Sequence, residues 1–286
     1  MKLKQIPEDF IVNEVLDLKM ETGPYYYYRL TKRNWNTLDV IREIKRRLRV
    51  SDVGYAGIKD RNAVTSQYIS VPRKISVYLK DVACVFVGTG KDRIHLGQHQ
   101  GNEFVITIRD LEKKLTPVRT IINFFGEQRF SKKNTPVGKL LVTGKFREAC
   151  HELGLDVIRN DYIGALRSIG KETLRLYVNA YQSALWNTLA KKSTKKVVPI
   201  LGYLTKGHAY DRIMKKEGIR KEDFQLRSLP EIAAEGGERP RVVSIKRFKT
   251  RAFEDDELNH RKKKQTISFF LPRGAYATVA IKKLLK

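Results

Sequence analysis

The chain has 286 residues, 41% of them apolar, enough for one large hydrophobic core or two smaller ones. Its 57 Lys and Arg against 31 Asp and Glu leave a formal charge of +26, which repels itself unless a polyanion neutralises it, so a nucleic-acid partner is expected. A membrane span is excluded because no run approaches ~18 apolar residues; the start "MKLKQIPEDF" lacks the apolar core of a signal peptide, which predicts a cytoplasmic protein, and Cys84 and Cys150, without CxxC spacing, read as buried thiols.

In chain order, "DFIVNEVL" and "PYYYYRL" read as strands divided by the Gly23-Pro24 turn, with Phe10, Val12 and Glu14 on one face of the first. Alternation sends Tyr25 and Tyr27 to one side of the second strand and Tyr26 and Tyr28 to the other, at least one side being core. "NTLDVIREIKRRLRV" predicts a helix capped by Asn36 or Thr37, with Leu38, Ile41, Ile44 and Leu48 at helical spacing and a basic outer face. After "GYAGIKDRNAVTSQ" come the short apolar runs "YISV", "VACVFVG", "RIHLG" and "EFVITIR", a meander or mixed sheet. "PVRTIINFFGEQRF" predicts a helix running into a Gly turn, and the stretch 139–187 reads as helical, most clearly in "LRLYVNAYQSALWNTLAKK". From about Lys206 to Arg261 the sequence is more polar, and "TISFFLPRGAYATVAIKKLLK" then returns to strand-like and helix-like spacing. Apolar strands that stop near Arg109 and resume at Thr266 predict one sheet interrupted by an insertion.

Several chemistries lack their residues. His95 and His99 have helical zinc spacing, but Gly97 lies between them and no third ligand is near, so they read as solvated loop histidines and no metal is expected. "GTGKD" fails the phosphate-loop pattern, since Val85 stands where its first Gly belongs and Asp92 replaces the Ser or Thr. No GxSxG elbow supports acyl transfer, and no Gly cluster has the strand-loop-helix context that a methylation cofactor needs. The Lys59-Asp60 pair is the remaining candidate, a reactive dyad or a charged turn.

That stretch resembles the signature GxKDxxAxTxQ of the TruD family of pseudouridine synthases, with Gly57, Lys59, Asp60, Ala63, Thr65 and Gln67 in place. "KQIPEDFIVNE", "GNEFVITIR", "NFFGEQRF", "LYVNAYQSALWN", "GGERP" and "SFFLPRGAYATVAIKKLL" resemble further family motifs in the family's order, so the likeness covers nearly the whole chain. Phe124 stands where the family has Tyr, Ser131 where it has Gly, and the central segment is shorter than the family's inserted domain.

The resemblance implies an α/β (α+β) fold: a mixed-sheet catalytic domain formed by 1–154 and 262–286, and a smaller inserted TRUD-type domain at 155–261. It implies a V shape whose cleft takes RNA, and a transfer RNA substrate isomerised typically at uridine 13, with no cofactor, no membrane and no obligate protein partner. Asp60 is then the catalytic nucleophile, with Lys59 beside it to keep it ionised. Phe104 stacks on the flipped base, Asn102 holds the loop or hydrogen-bonds the nucleotide, and Lys4, Phe10 and Glu14 border the pocket. Gln128, Arg129 and Phe130 support the catalytic loop. The rival class is a basic RNA-binding or ribosome-associated protein without catalysis, which composition alone favours.

Overall fold

The first strand is short because its hydrophobic alternation is short: Phe10, Val12 and Glu14 turn inward from β1 (Phe10–Val15), which follows a 3-10 turn at Pro7–Asp9. The computed structural model describes residues 1–285, and the Gln128 side chain lies outside what it describes. Contacts divide the chain into two compact units, 1–119 with 244–286, and 120–243.

In the first unit, β2 (Tyr25–Arg33), α1 (Thr37–Leu48), β3 (Gly54–Tyr55), β4 (Val64–Val71), β5 (Val82–Gly90) and β6 (Gly101–Leu111) precede the second unit, and β11 (Lys246–Asp255), β12 (Lys263–Pro272) and α7 (Ala277–Leu284) follow it. The sheet runs β11-β12-β6-β1-β4-β2-β5, with β3 paired to β4. It is mixed, because β1 lies parallel to β4 and antiparallel to β6. β12 pairs antiparallel with β6, Thr266 opposite Thr107, so the interrupted sheet expected from the sequence is closed by the returning chain.

The helix α1 forms where the apolar spacing and the cap coincide. Asn36 is the cap, its side-chain oxygen accepting from the Leu38 N–H at 3.3 Å. Val40, Ile41 and Ile44 bury themselves against Tyr28, Leu30, Ile69 and Val71 on one sheet face. Tyr27 packs on the other face with Leu16, Ala56 and Ile94, so the tetra-Tyr run has one 3%-exposed ring in each core.

In the second unit, β7 (Thr120–Ile122), α2 (Asn134–Val142), α3 (Phe146–Leu153), α4 (Tyr162–Ser168), α5 (Lys171–Lys192), β8 (Val197–Ile200), α6 (Asp211–Glu217), β9 (Gly237–Pro240) and β10 (Val242–Ser244) occur in that order. Leu174, Val178, Tyr181 and Leu185 of α5 form the core with Val137 and Leu141 of α2, Ala149 and Cys150 of α3, and Leu166 of α4. Gly138 permits the α2–α5 crossing: a Cβ there would stand 2.1 Å from the Tyr177 carbonyl oxygen.

Two expectations are corrected. The segment 117–130 is strand β7 and a 3-10 turn at Glu127–Arg129 rather than a helix, because Phe125 turns inward against Trp186 instead of keeping a helical stripe. "RIHLG" is irregular, Ile94 being tied to the Ser70 hydroxyl rather than to a strand partner. By contacts the compact units divide at 119/120 and 243/244, since α2 and α3 pack on α5 and β11 completes the sheet of the first unit.

Candidate active site

Strand register gathers the site on one face of the sheet. Lys32 lies opposite Thr65, Thr65 beside Val12, Val12 opposite Phe104, and Phe104 opposite Phe269, a row across β2, β4, β1, β6 and β12. One step along, Glu14 lies opposite Asn102, and Asn102 opposite Leu271. Two strands that are distant in sequence thereby present Phe10, Glu14, Asn102 and Phe104 together.

The loop between β3 and β4 crosses above this face and carries Lys59 and Asp60. It is held from three sides. Thr37, at the start of α1, accepts from the Lys59 N–H at 2.9 Å and donates to Gln67 Oε1 at 2.9 Å, while Gln67 Nε2 donates to the Gly57 carbonyl at 2.9 Å. From below, Lys32, fully buried, donates to the carbonyls of Asp60 at 2.8 Å and Trp35 at 2.5 Å. Burial, followed by the neighbouring Lys59 charge, pushes the Lys32 ammonium down to about 8, the Asp60 charge opposing that fall.

Adjacent in sequence, Lys59 and Asp60 take different partners. The Lys59 ammonium, 5% exposed, meets Glu14 Oε2 at 2.6 Å, and the fully buried Glu14 also accepts from the Tyr68 N–H at 3.1 Å. Gly57 covers this pair; a Cβ there would lie 3.1 Å from Lys59 Nζ and 3.2 Å from His99 Cε1. His99 is half-buried, in contrast to the solvated loop expected, with Nδ1 3.1 Å from the Ala56 carbonyl. Burial first, then the Lys59 charge, lowers its pKa below the usual histidine value.

The cation at the Asp60 carboxylate is Lys4, whose Nζ stands 2.5 Å from Oδ2. Asp60 is 40% exposed at its side chain and Lys4 17%, so the pair faces outward where the Lys59–Glu14 pair does not. Lys4 reaches it from a left-handed backbone, φ +55°, and its ammonium also lies 4.1 Å over the Phe10 ring. Phe10 packs edge-on against Phe104 at 6.1 Å, and Phe104 stacks on Phe269 at 5.4 Å.

A buried network fixes the segment that carries Lys4. Asp9 accepts from the N–H groups of Gln5 at 3.1 Å and Ile6 at 3.2 Å and from Arg109 Nε at 2.8 Å. Arg109 also pairs with Asp256 at 2.7 Å and Glu257 at 3.0 Å. Burial alone would raise the Asp256 carboxyl, but hydrogen bonds from the Asp110 N–H, Asn259 and Arg109 outweigh it and hold the group at about 2.

Of the residues expected at the site, Lys4, Phe10, Glu14, Lys59, Asp60, Asn102 and Phe104 belong to this one constellation. Two polar atoms in it are buried without a partner, Thr65 Oγ1 and Asn102 Oδ1. Arg129 and Phe130 lie in the second unit, where the Arg129 carbonyl accepts from Asn134 Nδ2 at 3.2 Å and its guanidinium lies 5.9 Å over Phe125. Ser131 accepts from the Asn134 N–H at 3.1 Å and so caps the start of α2. In the same unit, "NFFGEQRF", "ALWN" and "GGERP" interlock. Asn187 brackets the Phe125 backbone at 2.9 and 3.0 Å, and Arg239 bonds Asn123 while lying 4.1 Å over the Phe125 ring and 5.3 Å from that of Trp186. Sequence reasoning does not point to Lys32, Thr37, Asp9 or His99 as parts of the site. The signal for Lys32 is a lysine in phase with the inward-facing Tyr28 and Leu30 of β2.

Among the described residues no group of three His, Cys, Asp or Glu side chains is arranged to hold a metal, and no helix is long and apolar enough to cross a membrane.

A solved structure described as a putative tRNA pseudouridine synthase D from Methanosarcina mazei superposes with a TM-score of 0.74 over 99% of this chain and 93% of its own, at 23% identity, which supports the mixed α/β fold. A probable tRNA pseudouridine synthase D 2 from Methanocaldococcus jannaschii is 28% identical, covering 99% of this chain and 91% of its own length. The alignment spans 387 positions, so that relative has segments this chain lacks. A probable tRNA pseudouridine synthase D from Pyrococcus furiosus is 29% identical over 100% of this chain and 95% of its own. The model of the family "tRNA pseudouridine synthase D (TruD)" matches residues 1–159 and 201–284, leaving "LYVNAYQSALWN" outside the match but including the Lys4, Asp60 and Phe104 motifs. With most of its length matched, the chain belongs to the tRNA pseudouridine synthase D (TruD) family, enzymes that isomerise uridine in transfer RNA.

Proposed function

We propose that this chain converts one uridine of a transfer RNA, typically uridine 13, to pseudouridine with Asp60 as the nucleophile and the target base flipped from its stack. The observation that carries this reading is the outward-facing Asp60–Lys4 pair, 2.5 Å apart, beside the Phe10–Phe104 aromatic pair. Isomerisation breaks the C1′–N1 bond, turns the uracil, joins C5 to C1′ and moves the C5 proton to N1 through solvent. An ionised carboxylate serves each route to that outcome, by attack at C1′, by attack at C6, or by assisting elimination to a glycal.

Lys4 supplies the positive charge next to Asp60, and the Lys59–Glu14 pair anchors the loop. Asn102 Oδ1, buried and unpartnered, is an acceptor for the uracil N3–H. Phe104 is 7% exposed, so a base stacks on it only when the side chains that cover it move. The charge of +26 supports phosphate contacts that weaken steeply with salt.

The test uses transfer RNA tritiated at uridine C5, whose release accompanies isomerisation. Wild type should release tritium and Asp60→Ala should not, with both binding the RNA. Equal, negligible release from two proteins that bind RNA would leave a non-catalytic RNA-binding protein in place of an enzyme.

A further inference from the structure

The aromatic row does not end at Phe269. Phe248 of β11 lies nearly parallel to Phe269, ring centroids 6.3 Å apart and planes at 20°, as Phe269 lies to Phe104 at 5.4 Å and 28°. Three adjacent strands therefore carry one ring each on the face that holds Asp60, and burial falls outward from Phe104 and Phe269 to the half-exposed Phe248.

A bulge aims that last ring. Lys246 pairs with Phe270 and Lys249 with Ser268, so Arg247 and Phe248 together face the single residue Phe269. Arg247, at φ +54°, turns to the opposite face, bonding Glu103 at 2.5 Å and lying 6.0 Å over Phe270, which leaves Phe248 on the side of Phe269. The strand is also the sheet's edge and is strongly basic: Lys246, Lys249 and Arg251 are exposed and, among the described residues, none forms an ion pair. By register Lys246 and Lys249 share the face of their partners Phe270 and Ser268, opposite that of Phe248, so the ring and the unpaired cations flank the sheet's edge from its two sides; a single-stranded nucleic acid suits such an edge, since each nucleotide offers a π-face and a phosphate.

We propose that Phe248 is a stacking platform for a base flanking the target uridine, and that Lys246 and Lys249, reaching around the sheet's edge, together with Arg251 hold the phosphates of that flanking strand where it passes the edge. The assignment rests on the reading of Asp60 and Phe104 given above. Two strand spacings separate Phe104 from Phe248, roughly 10 Å at ~4.8 Å each, against a rise of about 3.4 Å between stacked nucleotides. The flanking base therefore sits unstacked from the target, and the edge strand helps to hold the RNA splayed. Phe248 is a positioning residue: it sets how readily the target uridine arrives, and not how fast it reacts.

Full-length wild type, Phe248→Leu, Phe248→Trp and Lys246→Gln/Lys249→Gln/Arg251→Gln are compared on one transfer RNA, by tritium release for turnover and by filter binding for Kd. Phe248→Leu should raise KM and Kd about ten-fold with kcat within about twofold, and Phe248→Trp should restore wild-type values. The triple variant, whose side chains are exposed and outside the core, should flatten the dependence of log Kd on log salt by about 2, at ~0.7 for each phosphate that is no longer neutralised. Unchanged Kd in Phe248→Leu together with an unchanged salt slope in the triple variant overturns the platform. Filter binding needs no turnover, so absent release from wild type would refute the enzyme reading while the Kd and slope still decide on Phe248.

Discussion

Replacing Lys59 by Met tests whether the loop that carries Lys59 and Asp60 is anchored by a desolvated ion pair. At 2.6 Å, with side chains 5% and 0% exposed, the attraction is about 6 kcal/mol at an effective dielectric of ~20. Desolvation costs several kcal/mol per ion, so the intact pair contributes little net stability, but removing one partner strands a buried charge at a cost of about 3–5 kcal/mol. Out of a total of roughly 5–15 kcal/mol that is a large fraction. Lys59→Met and Glu14→Gln should each lower the stability of the first unit by about 3 kcal/mol or more, and the double variant should recover most of it, a coupling near the upper end of those measured, ~3 kcal/mol. Urea unfolding followed by Trp35 fluorescence in a Trp186→Phe background reads that unit alone, since Trp35 and Trp186 are the chain's two tryptophans and lie in different units. A second readout is His99: the Lys59 charge helps depress its pKa, so its NMR titration should move upward in Lys59→Met. Additive single losses, or a loss under about 1 kcal/mol with His99 unmoved, would refute a desolvated pair.

Lys32 gives a pH signature. Its folded value of about 8 lies below the ordinary 10.5, so between those pH values the unfolded chain holds a proton that the folded chain has shed, and this group's contribution to stability rises across that window, by at most about 3 kcal/mol. Urea midpoints at pH 7.5 and 10 should show that rise in wild type relative to Lys32→Met; parallel pH profiles would contradict it. Gly138→Ala places a Cβ 2.1 Å from a backbone oxygen, so despite the gain in helix propensity of about 1 kcal/mol the overpacking should win by roughly 1–2 kcal/mol and lower the melting temperature by several degrees. A higher melting temperature would show that α2 and α5 separate freely.

The elements legible from sequence are those whose local pattern and tertiary role agree. Alternation locates β1, β6 and β12, a 3.6-residue period with an Asn cap locates α1, and the long apolar run locates α5, because each buries one face or stripe against a neighbour. The span 117–130 misleads because a single inward aromatic, Phe125, docks on Trp186, a contact with no trace in local periodicity. β11 escapes notice in the sequence since an exposed edge strand carries Lys and Arg where an inner strand carries apolar residues.

The motifs by themselves determined which residues form the candidate site, Lys4, Phe10, Glu14, Lys59, Asp60, Asn102 and Phe104 among them, since residue identity and order are sequence properties. Only the tertiary structure decided who pairs with whom. Lys59 adjoins Asp60 along the chain, yet its ammonium is claimed by Glu14, 45 residues earlier, while Lys4, 56 residues away, reaches the Asp60 carboxylate. Charges pair through space, where strand register and burial fix the neighbours: a lysine whose stem points into the sheet face finds the carboxylate buried there, and the exposed carboxylate is left to the lysine that a left-handed turn brings across from the chain's start.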